Sequence, residues 1–338
     1  MRFEKAPVLG TIKPDQVRIN IKAVGICGTD VHLFHQARTG LWRVDKPIVI
    51  GHEAAGVILE VGDGVQTLKV GDRVALESMS PCWKSRAARA GRYNIAEDVK
   101  NLGMPPNNGA LRNVMDHYEE FCFKLPDNVT YEEGTMCEPL STGVHACRRG
   151  KVQPGKNVVI LGAGPVGLLT LIAAKAFGAT RLMITDINPT NLARAEKMGA
   201  KTYCHSSTAS PADIAKELKG IMAPDGPEIV IDCVGFDSTA ETAALTCSPG
   251  GTVVLVGLGH DQVKLPLHSI VVHELDVKGS FAYVDTYPLC LSLLEDKKVD
   301  LAALITRRLD FSEEAMVKGF DIARRSAETK AIKVMFNL

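Results

Sequence analysis

Asn157-Val158-Val159-Ile160-Leu161-Gly162-Ala163-Gly164-Pro165-Val166-Gly167 is an apolar strand-like run that enters a G-x-G-x-x-G turn, and a helical pattern over 165–177 leaves it. The spacing alone is a weak signal; a strand before it and a helix after it make it a strong one. Gly162 permits the tight turn, Gly164 lets an anionic group lie against the backbone, and Gly167 lets the helix pack closely on the strand. Pro165 and Val166 open the helix, whose N-terminus faces that anion. The pattern repeats downstream, with strands at 181–185, 229–232 and 252–256 and helices at 189–197 and 238–245. Alternating strands and helices predict a doubly wound α/β unit around a parallel sheet.

Asp186 ends the next strand, about twenty residues past the glycines, where a carboxylate accepts the ribose hydroxyls of a dinucleotide and repels a 2′-phosphate. This predicts NAD in preference to NADP, with Arg194 on the following helix as a softening influence. Upstream of about Pro139 the pattern is different: short β-rich segments at 17–24, 48–50, 56–61, 73–76 and 121–125, separated by glycine, proline and charge. They predict an antiparallel, partly barrel-like domain. Beyond Tyr283, helices at 287–296 and 312–325 and a closing strand at 331–336 lack βαβ regularity and are assigned to the first domain returning. The expected division is 1–139, 140–284 and 285–338.

A chain of 338 residues suits two domains. Its 39 basic and 39 acidic side chains give no global electrostatic reason to expect nucleic acid or an anionic membrane as partner, and favour a small neutral substrate. Nine scattered cysteines and an opening without a charged, then apolar, leader predict a reducing, cytoplasmic setting. The apolar runs are too short to span a bilayer. Met1 stands close to the first predicted strands, so the amino-terminal edge is expected to be short.

In the first domain, Gly51-His52-Glu53-Ala54-Ala55-Gly56 sets an imidazole beside a carboxylate, downstream of Cys27 in Gly25-Ile26-Cys27-Gly28-Thr29-Asp30. A lone histidine is more often a satisfied half-buried side chain, and a lone cysteine a small hydrophobe. Thiolate, imidazole and carboxylate together are the donors of a catalytic zinc, which keeps a position open for water or a substrate oxygen.

With Cys137 to Ala146, Gly91-Arg92-Tyr93-Asn94 and Val254-Leu255-Val256-Gly257-Leu258-Gly259, these motifs resemble the zinc-dependent medium-chain dehydrogenases, most closely the polyol (sorbitol, L-iditol) branch, through nearly the whole chain. The resemblance implies a GroES-like catalytic domain beside a Rossmann domain, and NAD-dependent oxidation of a polyol secondary hydroxyl to a ketose. It implies one catalytic zinc on Cys27, His52 and Glu53, with Glu138 beside the metal and able to exchange with Glu53. Thr29 is then the proton relay and His32 a second candidate. Val256 and Gly257 would contact the cofactor, and Phe281 and Tyr283 would line the approach to its nicotinamide. A homotetramer or homodimer is expected. Zinc alcohol or L-threonine dehydrogenase is the neighbouring reading, and a non-catalytic dinucleotide-binding protein the reading from another class.

The chain departs from the branch in two places. Where the family often holds a structural zinc by four cysteines, Cys82 stands with Ser85, Ala88 and Ala96, so no second zinc is expected. Ala282 and Leu33 stand where the branch often has an arginine and a tyrosine, so a weakened or redirected preference for sorbitol is expected.

Overall fold

The computed structural model describes residues 3–5, 9–40, 42–222 and 226–338. The short amino-terminal edge expected at Met1 lies outside them. The chain divides into two compact units, one formed by Met1–Glu138 with Val284–Leu338, the other by Pro139–Tyr283.

The first unit is built around a seven-stranded sheet with Gln16–Gly25 at its centre. In that strand Val17, Ile19, Ile21 and Ala23 are buried and alternate with half-buried Arg18, Asn20 and Lys22, the period-two pattern of a strand with one face in a core. It pairs antiparallel with Glu53–Val61, Val114–Tyr118 and Lys333–Asn337. Arg73–Leu76 and Cys122–Lys124 extend the sheet antiparallel beyond Glu53–Val61. The core joins Val17, Ile19, Ile21, Ile58, Val74 and Leu76 to Met316, Phe320 and Phe336 of the carboxy-terminal segment.

Two expectations need correction here. The apolar run 48–50 is not a strand. Gly51 takes a φ of +94°, and the loop 49–51 instead accepts bonds from Gly109, Ala110 and Leu111. The carboxy-terminal segment also carries an unexpected strand, Ile305–Asp310, which pairs parallel with Lys333–Asn337 across the helix Glu313–Arg324. The sheet is therefore not wholly antiparallel, because a helical crossover returns the chain in the same direction.

The second unit is the expected parallel α/β fold. Its six strands run in the order Lys201–Cys204, Arg181–Asp186, Asn157–Leu161, Ile229–Asp232, Thr252–Leu255, Asp276–Gly279, and every pair is parallel. The order reverses between Asn157–Leu161 and Ile229–Asp232, so the glycine turn after Leu161 stands at the topological switch point, where such sheets bind ligands. The helix Pro165–Ala176 is buried from Gly167 to Ala174, as its nearly continuous apolar sequence requires.

Candidate metal centre and dinucleotide turn

Antiparallel register assembles the first site. Gly25 lies directly across from Glu53, and a Cβ at Gly25 would overlap the Glu53 carboxylate, so only glycine leaves that side chain its place. Two residues on, Cys27 precedes the helix Gly28–Gln36. One ligating atom from each of Cys27, His52 and Glu53 lies within 4.8 Å of the other two. Bonds of about 2.0–2.3 Å to such donors are within reach of small side-chain adjustments, so the trio fits a zinc ion.

Asp30 ties the two halves of the site together. Its carboxylate accepts hydrogen bonds from the backbone N–H of Cys27 and of Gly51, each at 3.0 Å, and lies 3.3 Å from His52 Nδ1. Burial acts to raise the Asp30 pKa, but His52 and the two N–H groups outweigh it and the net shift is downward. For His52 burial acts downward, and the charges of Asp30 and Cys27 carry the net shift well upward. A carboxylate behind a ligating imidazole fixes the ring and strengthens the nitrogen that faces the metal.

Glu53 is fully buried, and Lys333 of the closing strand answers its charge. Lys333 Nζ donates to Glu53 Oε1 at 2.5 Å, to Oε2 at 2.7 Å and to the Ile26 carbonyl at 3.2 Å. Burial would lower the Lys333 pKa; Glu53 and Cys27 reverse that, and the net shift is upward. Asp30 and Lys333 are the members of this centre that sequence reasoning missed. A lysine among the apolar residues of Lys333-Val334-Met335-Phe336 was the available signal, since a charge in such a run needs a partner.

Thr29 is half-buried in the first turn of the helix after Cys27, His32 is exposed one turn on, and Leu33 is buried. Glu138 is 9% exposed in the first turn of the helix Cys137–Gly150. It is not one of the three mutually close donors, but its charge acts on both Lys333 and Glu77. Glu77 is a further buried carboxyl, accepting from the Tyr93 hydroxyl at 2.5 Å, which in turn accepts from the backbone N–H of Asp285 at 2.8 Å. Burial pushes Glu77 up to about 8, against the Tyr93 bond and aided by the charges of Asp285 and Glu138. In the lobe, Cys82 Sγ bonds the Asp98 carboxylate, Ser85 caps the helix Arg86–Arg89, and Ala88 and Ala96 are buried.

The second site is made mostly of backbone. Gly162 turns at a φ of +93°, Gly164 has open space on its Cβ side, and a Cβ at Gly167 would overlap the Gly162 carbonyl. Pro165 occupies the first turn of the helix, where its missing N–H costs no bond, and Val166 is half-buried beside it. Asp186 Oδ2 accepts from Ala163 N–H at 2.6 Å and Oδ1 from Asn188 N–H at 2.8 Å, so the carboxylate is anchored to the glycine turn itself. Val256 and Gly257 both donate backbone N–H to the Asp232 carbonyl, and a Cβ at Gly257 would overlap the backbone of Val234 and Gly235. Phe281 is exposed, whereas Tyr283 is fully buried.

Comparison with known proteins identifies the family. The alcohol dehydrogenase GroES-like domain matches residues 13–127, and the zinc-binding dehydrogenase family matches 165–296. Sorbitol dehydrogenase of Arabidopsis thaliana is 45% identical over 98% of this chain and 91% of its own, and that of Homo sapiens 40% over 98% and 91%. The chain belongs to the zinc-binding medium-chain dehydrogenases, in their sorbitol dehydrogenase branch. L-Idonate 5-dehydrogenase of Vitis vinifera is 46% identical over 98% of the chain and 90% of its own. Among solved structures, the 2R,3R-butanediol dehydrogenase of Bacillus subtilis superimposes with a TM-score of 0.89 at 28% identity, covering 99% of this chain and 95% of that one. A zinc-binding dehydrogenase of Sinorhizobium meliloti bound to NADP gives 0.83 at 26% identity, with 97% and 94% covered. Zinc and a dinucleotide are thus the cofactors of this family member.

Proposed function

We propose that this chain oxidises a secondary hydroxyl of a polyol to a ketone, passing the hydride to NAD and the proton to solvent. The observation that carries the reading is the intact set of three mixed donors, Cys27, His52 and Glu53, folded to within 4.8 Å of one another in a chain whose other unit keeps a complete glycine turn and its acidic partner. A non-catalytic relative would have no use for that donor set. In this reading 1–139 with 285–338 form the catalytic domain and 140–284 the cofactor domain.

Cys27, His52 and Glu53 would hold a zinc ion, which when bound would supply Lewis acidity at the substrate oxygen. Asp30 keeps the His52 ring oriented. Thr29 takes the hydroxyl proton and hands it outward, with exposed His32 as a further carrier, and Glu138 stands by as the second carboxylate. On the other unit the N–H groups around Gly164 hold the pyrophosphate. Asp186, held by Ala163 and Asn188, receives the ribose hydroxyls and disfavours a 2′-phosphate, so NAD is preferred. Val256 and Gly257 frame the cofactor, with exposed Phe281 towards the nicotinamide; Tyr283, fully buried, has no surface to offer it.

The names of the relatives point to sorbitol or idonate as substrate classes, and Ala282 and Leu33 argue that recognition of distal hydroxyls is redirected. A homo-oligomer, dimer or tetramer, is supported by the strand Asp276–Gly279, which among the described residues is an edge of its sheet, and by the neighbouring helix, which exposes Leu267, Val271 and Val272. Among the described residues no helix is long and apolar enough to cross a membrane. The nine free cysteines suit a reducing cytoplasm.

The test is a panel of sorbitol, xylitol, galactitol, L-idonate, L-threonine and simple secondary alcohols, followed by NADH absorbance, with Ala282→Arg alongside. Ala282 already carries its Cβ at a φ of +46°, so the larger side chain adds none of the backbone strain that replacing a glycine at such a φ would. A regained donor to a distal hydroxyl is worth about 1–3 kcal/mol, or one to two orders of magnitude in kcat/KM for a six-carbon polyol. Turnover confined to L-threonine or simple alcohols would replace the polyol reading with its neighbour.

A further inference from the structure

Lys333 reaches the metal centre from the far end of the chain. Its side chain is nine-tenths or more buried, and its ammonium takes both oxygens of Glu53, at 2.5 Å and 2.7 Å, and the Ile26 carbonyl at 3.2 Å. Glu53 is also the only carboxylate of the three mutually close donors. An ion held by Cys27 and His52 must draw on the same carboxylate that the ammonium already occupies. Two cations then share one buried anion, and what one gains the other gives up.

Resting on the metal-centre reading above, we propose that Lys333 is a positioning residue that works as an internal counter-ion. It keeps Glu53 folded in its ligating place while the metal is absent, and it competes for that carboxylate once the metal is present. Glu53 is thereby a displaceable ligand rather than a tight one. By linkage, a group that stabilises the metal-free form more than the loaded form weakens metal binding by the same factor. A plain structural strut between the closing strand and the core would stabilise both forms alike and leave metal affinity unmoved. The position of the pair favours competition, since Lys333 takes both Glu53 oxygens and so also the one that lies within 4.8 Å of the Cys27 and His52 donor atoms.

Lys333→Met separates the two. Zinc affinity is read by competition with a chromophoric chelator, and thermal midpoints are read with and without zinc chloride, on the full chain. The expected result is a zinc dissociation constant lower by about ten- to a hundredfold, with zinc raising the midpoint more in the variant than in wild type. A variant that folds only when zinc is supplied supports the proposal equally, since the ion then replaces the missing ammonium. Unchanged or weaker zinc binding, or a chain that fails to fold with and without zinc, makes Lys333 a strut and overturns it. Wild type that retains no zinc would instead remove the metal-centre reading itself.

Discussion

The carboxylates that shape the two sites are handled in opposite ways in the two units. In the first, Asp30 faces the imidazole of His52 and Glu53 faces the ammonium of Lys333, so charge meets charge, in the second pair across 280 residues of sequence. In the second, Asp186 is met by the N–H groups of Ala163 and Asn188, and fully buried Asp232 by those of Val234 and Gly235 and the Thr239 hydroxyl. No cationic side chain is among those partners. A site made of side-chain charge can exchange one cation for another, which is what a metal centre needs. A site made of backbone donors is fixed in shape and presents N–H groups to an anionic ligand, as a pyrophosphate requires. The first should therefore fail when a side chain is removed, and the second when one is added.

Removing His52 gives the largest effect. His52→Ala takes away a donor and leaves buried Asp30 without its cation. Turnover should fall by at least about 10³-fold, with zinc content dropping from near one per subunit towards none. NADH affinity, read by fluorescence enhancement, should stay within about twofold, because the glycine turn is held by bonds to Thr185 and Asp186 of its own unit. A parallel loss of NADH binding would show that the two sites are not independent.

Adding a single methyl at Gly167 is the converse. The new Cβ would overlap the Gly162 carbonyl, a backbone atom that cannot swing aside. Helix and turn must separate, and overpacking of this kind costs about 1–3 kcal/mol. Gly167→Ala should therefore raise the NADH dissociation constant by roughly a hundredfold while zinc content stays at the wild-type level. Retained NADH affinity would mean that the helix end does not set the pyrophosphate site.

The same contrast explains what could be read from sequence. The glycine turn and Asp186 lie within one βαβ unit, so local pattern carries them. Cys27, His52 and Glu53 come together only through the pairing of Gly25 with Glu53, yet their residue types announce a donor set and the surrounding motifs a family. Asp30 and Lys333 escaped because their roles exist only after folding: one bridges two loops, the other crosses nearly the whole chain. The run 48–50 misled because apolar β-branched residues imitate a strand, while Gly51 and the loop 109–111 decide otherwise. Ile305–Asp310 was missed for the reverse reason, its Arg307, Arg308 and Asp310 hiding the alternation of an edge strand.

Glu77 sharpens the comparison, with the smallest effect of the three, because it is a first-unit carboxyl that accepts from a hydroxyl, that of Tyr93, and not from a cation. Burial, with Asp285 and Glu138 nearby, raises its pKa from 4.5 to about 8. Between those values the unfolded chain has released this proton and the native chain retains it, so the native state binds more protons and stability falls as pH rises. The stabilisation relative to the ionised form is whole below about 4.5 and is lost as pH passes through about 8. From pH 7 to pH 9 the loss amounts to roughly 1.5 kcal/mol. Glu77→Gln keeps an oxygen for the Tyr93 hydroxyl and removes the titration. Its thermal midpoint should match wild type near pH 5 and exceed it by a few degrees at pH 9, flattening the alkaline limb of the profile. If the two midpoint curves run parallel across that range, Glu77 is ionised in the native protein, and a cation must neutralise it as one neutralises Glu53.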